Sequence, residues 1–169
     1  MSATVRKNYS PAQLNLLNNS IHIENLGKKM TREELKNYLP HREPMLLVDE
    51  AYLNEDGSAT GFYTVRGDEF FLQGHFPNSP VVPGVILCEI LAQSASLLML
   101  NEVKGKRTLY TGMDNVKFRN MVRPGDKLKV HAEIVKIRPP LYKISGSASV
   151  DGKVCMQGEF TFALMPNEQ

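Results

Sequence analysis

His75 and Glu89 sit at the entrance and in the middle of GHFPNSPVVPGVILCEILAQSASLLML, residues 74–100, a stretch otherwise almost entirely apolar. Glutamate is among the residues least often fully buried, and burying its charge costs on the order of several kcal/mol unless a partner offsets it. Glu89 is therefore either half of a structural ion pair or a group placed there to react. Gln93 follows four residues later, on the same face of a helix, and Ser96 continues that polar line. A thin polar stripe on an apolar rod is expected to look onto a lined cavity or a subunit interface. Desolvation there would raise the carboxyl pKa towards ~6–7, where it could deliver a proton near neutral pH.

His75 lies in GHFPNSPVVPG, where Pro77, Pro80 and Pro83 restrict the backbone and leave the imidazole little freedom to lose on ordering. The first N–H groups of the following helix, near Gly84 and Val85, have no intrahelical acceptor and lie at the positive end of its dipole. Gly84 lets a ligand approach that backbone closely. A neutral imidazole, a protonated carboxyl and a free N–H together suit proton abstraction beside a carbonyl, as base, acid and oxyanion donor. The plainer reading of His75 alone is a turn or capping residue. The remaining histidines carry less. His41 in LPHREPMLLVD reads as an entry-loop residue with structural hydrogen bonds, His131 alternates onto the exposed face of a strand, and His22 lies near the N-terminus. No HxH, HxxxH or HExxH spacing supports a metal site, and none is expected.

The elements that must hold these groups are legible from periodicity. Pro83 fits a first helical position, and the apolar residues from Val85 to Leu100 surround the whole cylinder, the mark of a buried helix. The segments MLLVDEAYL, SATGFYTVR, TLYTGMDNVKF, DKLKVHAEIVKIR, LYKISGSASV and KVCMQGEFTFAL read as strands. Asp56-Gly57 and Asp151-Gly152 mark hairpins. Val154, Met156, Phe160, Phe162 and Leu164 alternate onto one face, and alternation slips near Val135, before Pro139-Pro140, where a bulge or turn belongs. The pattern predicts an α+β domain in which a curved, mostly antiparallel sheet of about six strands wraps one long central helix, the hot-dog fold. Residues 1–29 read as an N-terminal extension with a short helical signal in SPAQLNLLNN, and 30–169 as one domain. A capping box, Thr31 with Glu34, opens a short helix.

Composition excludes several classes. A formal charge of +2 gives no case for nucleic acid. Cys88 and Cys155 form no CxxC motif, which argues against a disulfide framework and suits a reducing compartment. No signal peptide is read, and Val85 to Leu100 falls short of the ~20 residues a membrane span needs. A soluble, cytoplasmic protein is expected.

LPHREPMLLVD, GHFPNSPVVPGVILCEILAQ and FRNMVRPGDKL occur in an order and at spacings that resemble the 3-hydroxyacyl-acyl carrier protein dehydratases of bacterial type II fatty-acid synthesis, across roughly residues 31–164. Glu89 at the acid position resembles the simple dehydratase branch, since the dehydratase/isomerase branch carries Asp there. The resemblance implies that His75 removes the C2 proton of a (3R)-3-hydroxyacyl thioester. Glu89 would protonate or orient the departing hydroxyl, the Gly84 N–H would hold the thioester carbonyl, and the Val81 carbonyl would orient the imidazole. It implies no cofactor, an acyl carrier protein partner, and a homodimer sharing its sites, with His75 and Glu89 from different subunits, commonly as a trimer of dimers. Tyr110 or Phe118 would line or gate an acyl tunnel. Lys117, Arg119, Arg123, Lys136 and Arg138 would flank its mouth and meet the acidic carrier. Glu43, where an aromatic or apolar residue is common, and the long N-terminus depart from the pattern and would suit a specialised copy. A non-catalytic acyl-binding subunit and a hot-dog acyl thioesterase are the competing readings.

Overall fold

The computed structural model describes residues 26–166. In chain order these form β1 (Lys29–Thr31), α1 (Arg32–Leu35), β2 (Glu50–Leu53), β3 (Ala59–Thr64), α2 (Gly84–Ala95), α3 (Leu100–Val103), β4 (Lys106–Phe118), β5 (Lys127–Arg138), β6 (Leu141–Val150) and β7 (Lys153–Pro166). Short 3₁₀ turns cover Phe70–Leu72 and Ser96–Met99. One antiparallel sheet of seven strands runs β1-β2-β3-β5-β6-β7-β4, and α2 packs against β3, β5, β6 and β7. This is the expected hot-dog arrangement, with a seventh strand, β1, too short for a period of two to show. The sheet begins before the boundary read at residues 29–30. Leu26 already bridges Leu53, and Gly27 N–H donates to the Leu53 carbonyl. The helical signal in SPAQLNLLNN lies outside the described residues.

The strands form where alternation said they would. Asp151 and Gly152 take positive φ in the β6–β7 turn, and Asn54 to Ser58 closes the β2–β3 hairpin. The slip near Val135 is a bulge between Ile134 and Lys136, which turns Val135 outward. Another bulge lies at Cys155 in β7, where no break in alternation announces it. It buries Cys155 and leaves Val154 only half-buried, while Met156, Phe160, Phe162 and Leu164 keep the core face. Residues 45–49, read as the start of a strand, form a loop instead, because side chains take their backbone groups. Gln93 binds the Met45 carbonyl and Leu47 N–H, and Arg32 binds the Leu46 carbonyl. Asp49 then joins Arg32, Arg66 and the Thr64 N–H.

The central rod runs from Pro83, its N-cap, through α2, a 3₁₀ turn and α3 to Val103. At 20 residues from Gly84 to Val103 it is long and apolar enough to cross a membrane, where the run from Val85 to Leu100 alone reads as too short. Two-thirds of its most apolar window is nevertheless buried, because the sheet covers it. The exception to the all-round apolar burial is Val85, 69% exposed at the first turn.

Two glycines set how closely rod and sheet approach. A Cβ on Gly61 in β3 would lie 2.2 Å from Ser94 Oγ, and one on Gly146 in β6 would lie 2.8 Å from Leu91 Cδ1. Both contacts are closer than side chains tolerate, so the helix can sit down only where the sheet has no Cβ. Gly61→Ala is expected to lower stability by about 1–3 kcal/mol, read as an earlier urea midpoint with unchanged slope. Adding Ser94→Gly should recover part of the loss; a Gly61→Ala midpoint equal to that of the parent would contradict this packing.

Candidate active site

Loop, helix start and sheet edge converge at His75. Its N–H donates to the Leu72 carbonyl, and its carbonyl accepts from Val81 N–H at 2.8 Å. Its ring Nδ1 lies 2.7 Å from the Val81 carbonyl, which can only accept, so Nδ1 carries the proton and Nε2 keeps a lone pair. Val81 thus contacts both the backbone and the ring of His75. Phe76 stacks on the imidazole at 4.2 Å between centroids.

His75, Val81, Gly84, Val85, Phe118 and Arg119 are among the residues lining an apolar groove of about 560 Å³. The Gly84 N–H, in the first turn of α2, lies among the groups that have no acceptor within the helix. Gly84 is needed for a nearer reason than ligand approach: a Cβ there would lie 2.9 Å from the Phe118 ring. Phe118 lines the groove and is half exposed. Tyr110 does not line it; its hydroxyl donates to the Cys88 carbonyl at 2.7 Å and its ring packs on Phe160 and Phe162. Of the basic residues, Arg119 lines the groove, Lys117 precedes it on the same edge, and Arg123 reaches Ser79 and Pro80 of the histidine loop. Lys136 and Arg138 line a different hollow with Leu141, Lys143 and Thr161, because the β5–β6 hairpin carries them away from the His75 groove.

Glu89 is not among the residues lining the His75 groove. Its Oε1 accepts from Gln93 Nε2 at 2.9 Å and lies 3.3 Å from His41 Nε2. Gln93 shares a helix face with Glu89, as its spacing required, but the stripe is covered by the 39–47 loop. Ser96 leaves the stripe, because its hydroxyl turns back to the Gln93 carbonyl at 2.6 Å where the helix tightens. Burial pushes the Glu89 carboxyl up, but the hydrogen bonds from His41 and Gln93, with the field of His41, outweigh it and hold the carboxyl below its ordinary value. The expectation of a raised pKa is thus reversed: desolvation is present, and two donors on one oxygen overcome it.

His41 is the residue that sequence reasoning undervalued. It stands 48 positions from Glu89, so no local spacing could pair them. The available signal was indirect, in that a buried glutamate must find a partner. His131 is exposed, as alternation required. Among the described residues no group of three or more His, Cys, Asp or Glu could hold a metal ion, and both cysteines are buried and free.

Residues 39–159 match the family model described as the FabA-like domain. A dehydratase of Lactococcus lactis subsp. cremoris, named 3-hydroxyacyl-acyl-carrier-protein dehydratase FabZ, is 47% identical over 133 residues, 78% of this chain and 92% of that protein. The FabZ of Staphylococcus epidermidis is 45% identical over 134 residues, 78% of this chain and 92% of its own. Among solved structures, the dehydratase heterocomplex ApeI:P from Xenorhabdus doucetiae superposes with a TM-score of 0.68 at 21% identity, over 79% of this chain and 91% of that one. The fluoroacetyl-CoA thioesterase FlK superposes at 0.55 with 16% identity, over 64% and 84%, a likeness of fold alone. Since the model spans residues 39–159, which contain both His75 and Glu89, the chain belongs to the FabA-like family.

Proposed function

We propose that the chain is a hydro-lyase that dehydrates (3R)-3-hydroxyacyl-acyl carrier protein to the trans-2-enoyl thioester in fatty-acid synthesis or a related lipid or polyketide route. The observation that carries this is the His75 imidazole, held at Nδ1 by the Val81 carbonyl and lining an apolar groove that also contains the first turn of α2. A base held at the wall of an apolar groove suits a poorly acidic C2 proton. The Gly84 N–H would take the charge that develops on the thioester oxygen as that proton leaves. Such acid–base help typically supplies about 10²–10⁴-fold, and an oxyanion donor a further ~10²–10³. The hydroxyl leaves as water once a carboxyl proton reaches it, and Glu89 is the group proposed to give it, directly or through a water.

Because Glu89 faces His41 and Gln93 and not the His75 groove, a second copy is proposed to bring its own Glu89 to that groove. Phe76, Val85, Phe118 and Met121 are all more than half exposed, and the last three line the groove; they form an apolar surface that such a partner would cover. Two sites then form per dimer, each with His75 from one subunit and Glu89 from the other, and dimers assemble further as trimers. Phe118 is proposed to line the acyl path, with Tyr110 bracing the helix behind it. Lys117, Arg119 and Arg123 are proposed to meet the acidic carrier, with Lys136 and Arg138 lying apart from them. The same reading places the protein among soluble enzymes of the cytoplasm and asks for no cofactor.

Incubation of the full chain with a 3-hydroxyacyl carrier protein should yield, by mass, a product lighter by one water. Release of free acid would instead support a thioesterase, and an unchanged substrate a binding subunit. His75→Ala and Glu89→Gln should each reduce kcat by at least about a hundredfold without changing the oligomer. Mixing the two dead variants under subunit exchange should restore about a quarter of the sites, since half the dimers become mixed and each holds one intact pair. No recovery despite proven exchange would place both groups in the same subunit's site.

A further inference from the structure

His41 is a half-buried titratable side chain that the proposed mechanism leaves unused. His41 places Nε2 3.3 Å from Glu89 Oε1, and its Nδ1 is shut from solvent with no hydrogen-bond partner among the described residues. A ring proton on Nδ1 would be a buried N–H without an acceptor, whereas a proton on Nε2 points at a carboxyl oxygen and leaves only a lone pair unmet. The tautomer that fits is therefore Nε2–H donating to Oε1.

The loop that carries this ring is held from both ends. Arg42 donates to the carbonyls of Leu39 at 2.9 Å, His41 at 2.7 Å and Lys36 at 3.2 Å, binding three backbone acceptors with one guanidinium. Beyond it, Gln93 bonds Met45 and Leu47 while also donating to Glu89 Oε1. Both donors that reach Glu89 meet the same oxygen, and an oxygen accepting two N–H groups cannot also carry a proton without losing one of them. We propose that His41 is a positioning residue which, with Gln93, saturates Glu89 Oε1, so that the acid proton is confined to Oε2 and aimed at the departing hydroxyl.

This rests on Glu89 being the acid, so the test has one arm that needs no turnover. In the full chain labelled with ¹⁵N-histidine, His41 should show the Nε2–H tautomer, and Glu89→Gln should shift its ring signals. An Nδ1–H tautomer, or ring signals indifferent to Glu89→Gln, overturns the contact whatever the activity. In the kinetic arm, His41→Leu should lower kcat by about ten- to a hundredfold with KM little changed, and His41→Gln, which retains an N–H donor, should recover most of it.

The pH profile separates positioning from mere packing. A proton donor fails as pH rises through its pKa; the His41 hydrogen bond lowers the pKa of Glu89, so His41→Leu should move the alkaline limb of kcat to higher pH. The other titratable groups beside Glu89 do not compete for that limb. Burial pushes the Cys88 thiol up to about 11 and raises the Tyr110 hydroxyl as well, while Arg42 is engaged with backbone carbonyls. A fall in kcat with an unmoved limb, or a failure of Gln to rescue, gives His41 a packing role only and overturns the proposal. If Glu89→Gln stays active while the ring signals behave as expected, it is the role of Glu89 that fails and not the contact.

Discussion

The depth at which the central helix sits in the sheet governs the rest of the molecule. Gly61 and Gly146 remove side chains where Ser94 and Leu91 press against the strands, and the rod descends until it touches backbone. Protein interiors are packed at crystalline density, so a helix seated this way has little freedom to rotate or slide. Its rotation decides which residues face the 39–47 loop, and its start decides where the Gly84 N–H points. A catalytic geometry demanding placement to a fraction of an ångström can be built on such a rod and not on a loosely packed one.

Backbone groups that the sheet does not use are taken up by side chains, and those bonds build the site. The 39–47 loop forms no strand, yet Arg42, Arg32 and Gln93 between them satisfy six of its backbone or neighbouring polar groups. The histidine loop is held otherwise, by paired bonds between His75 and Val81 and by its prolines. Buried polar groups are costly unless paired, so each loop is fixed by the bonds that satisfy its backbone around His41 or His75.

Two opposing effects act on the Glu89 carboxyl. Desolvation alone would favour the neutral acid, and two N–H donors on Oε1 favour the carboxylate, with the donors ahead in the isolated chain. A partner subunit and a bound acyl chain would exclude more water and push in the opposite direction. In the proposed dimer these opposing effects together would set which form the carboxyl takes.

The local rules of the chain were enough for most of the architecture. Period-two alternation in β5, β6 and β7, the Asp-Gly turns and a proline-started apolar helix are each encoded within a few neighbouring residues. So was the imidazole's setting, because the prolines, Val81 and Gly84 all lie within ten residues of His75. Tertiary structure decided what depends on residues far apart in sequence. The three-residue β1 exists only through its partner strand, the Cys155 bulge through its register with β6, and the loop at 45–49 through side chains from α1 and α2. It also decided the charge state favoured by Glu89, since burial can be guessed from an apolar neighbourhood, but His41 arrives from 48 residues away. Hydrophobic pattern is a property of a segment, whereas a pKa belongs to whatever groups the completed fold brings within hydrogen-bonding reach.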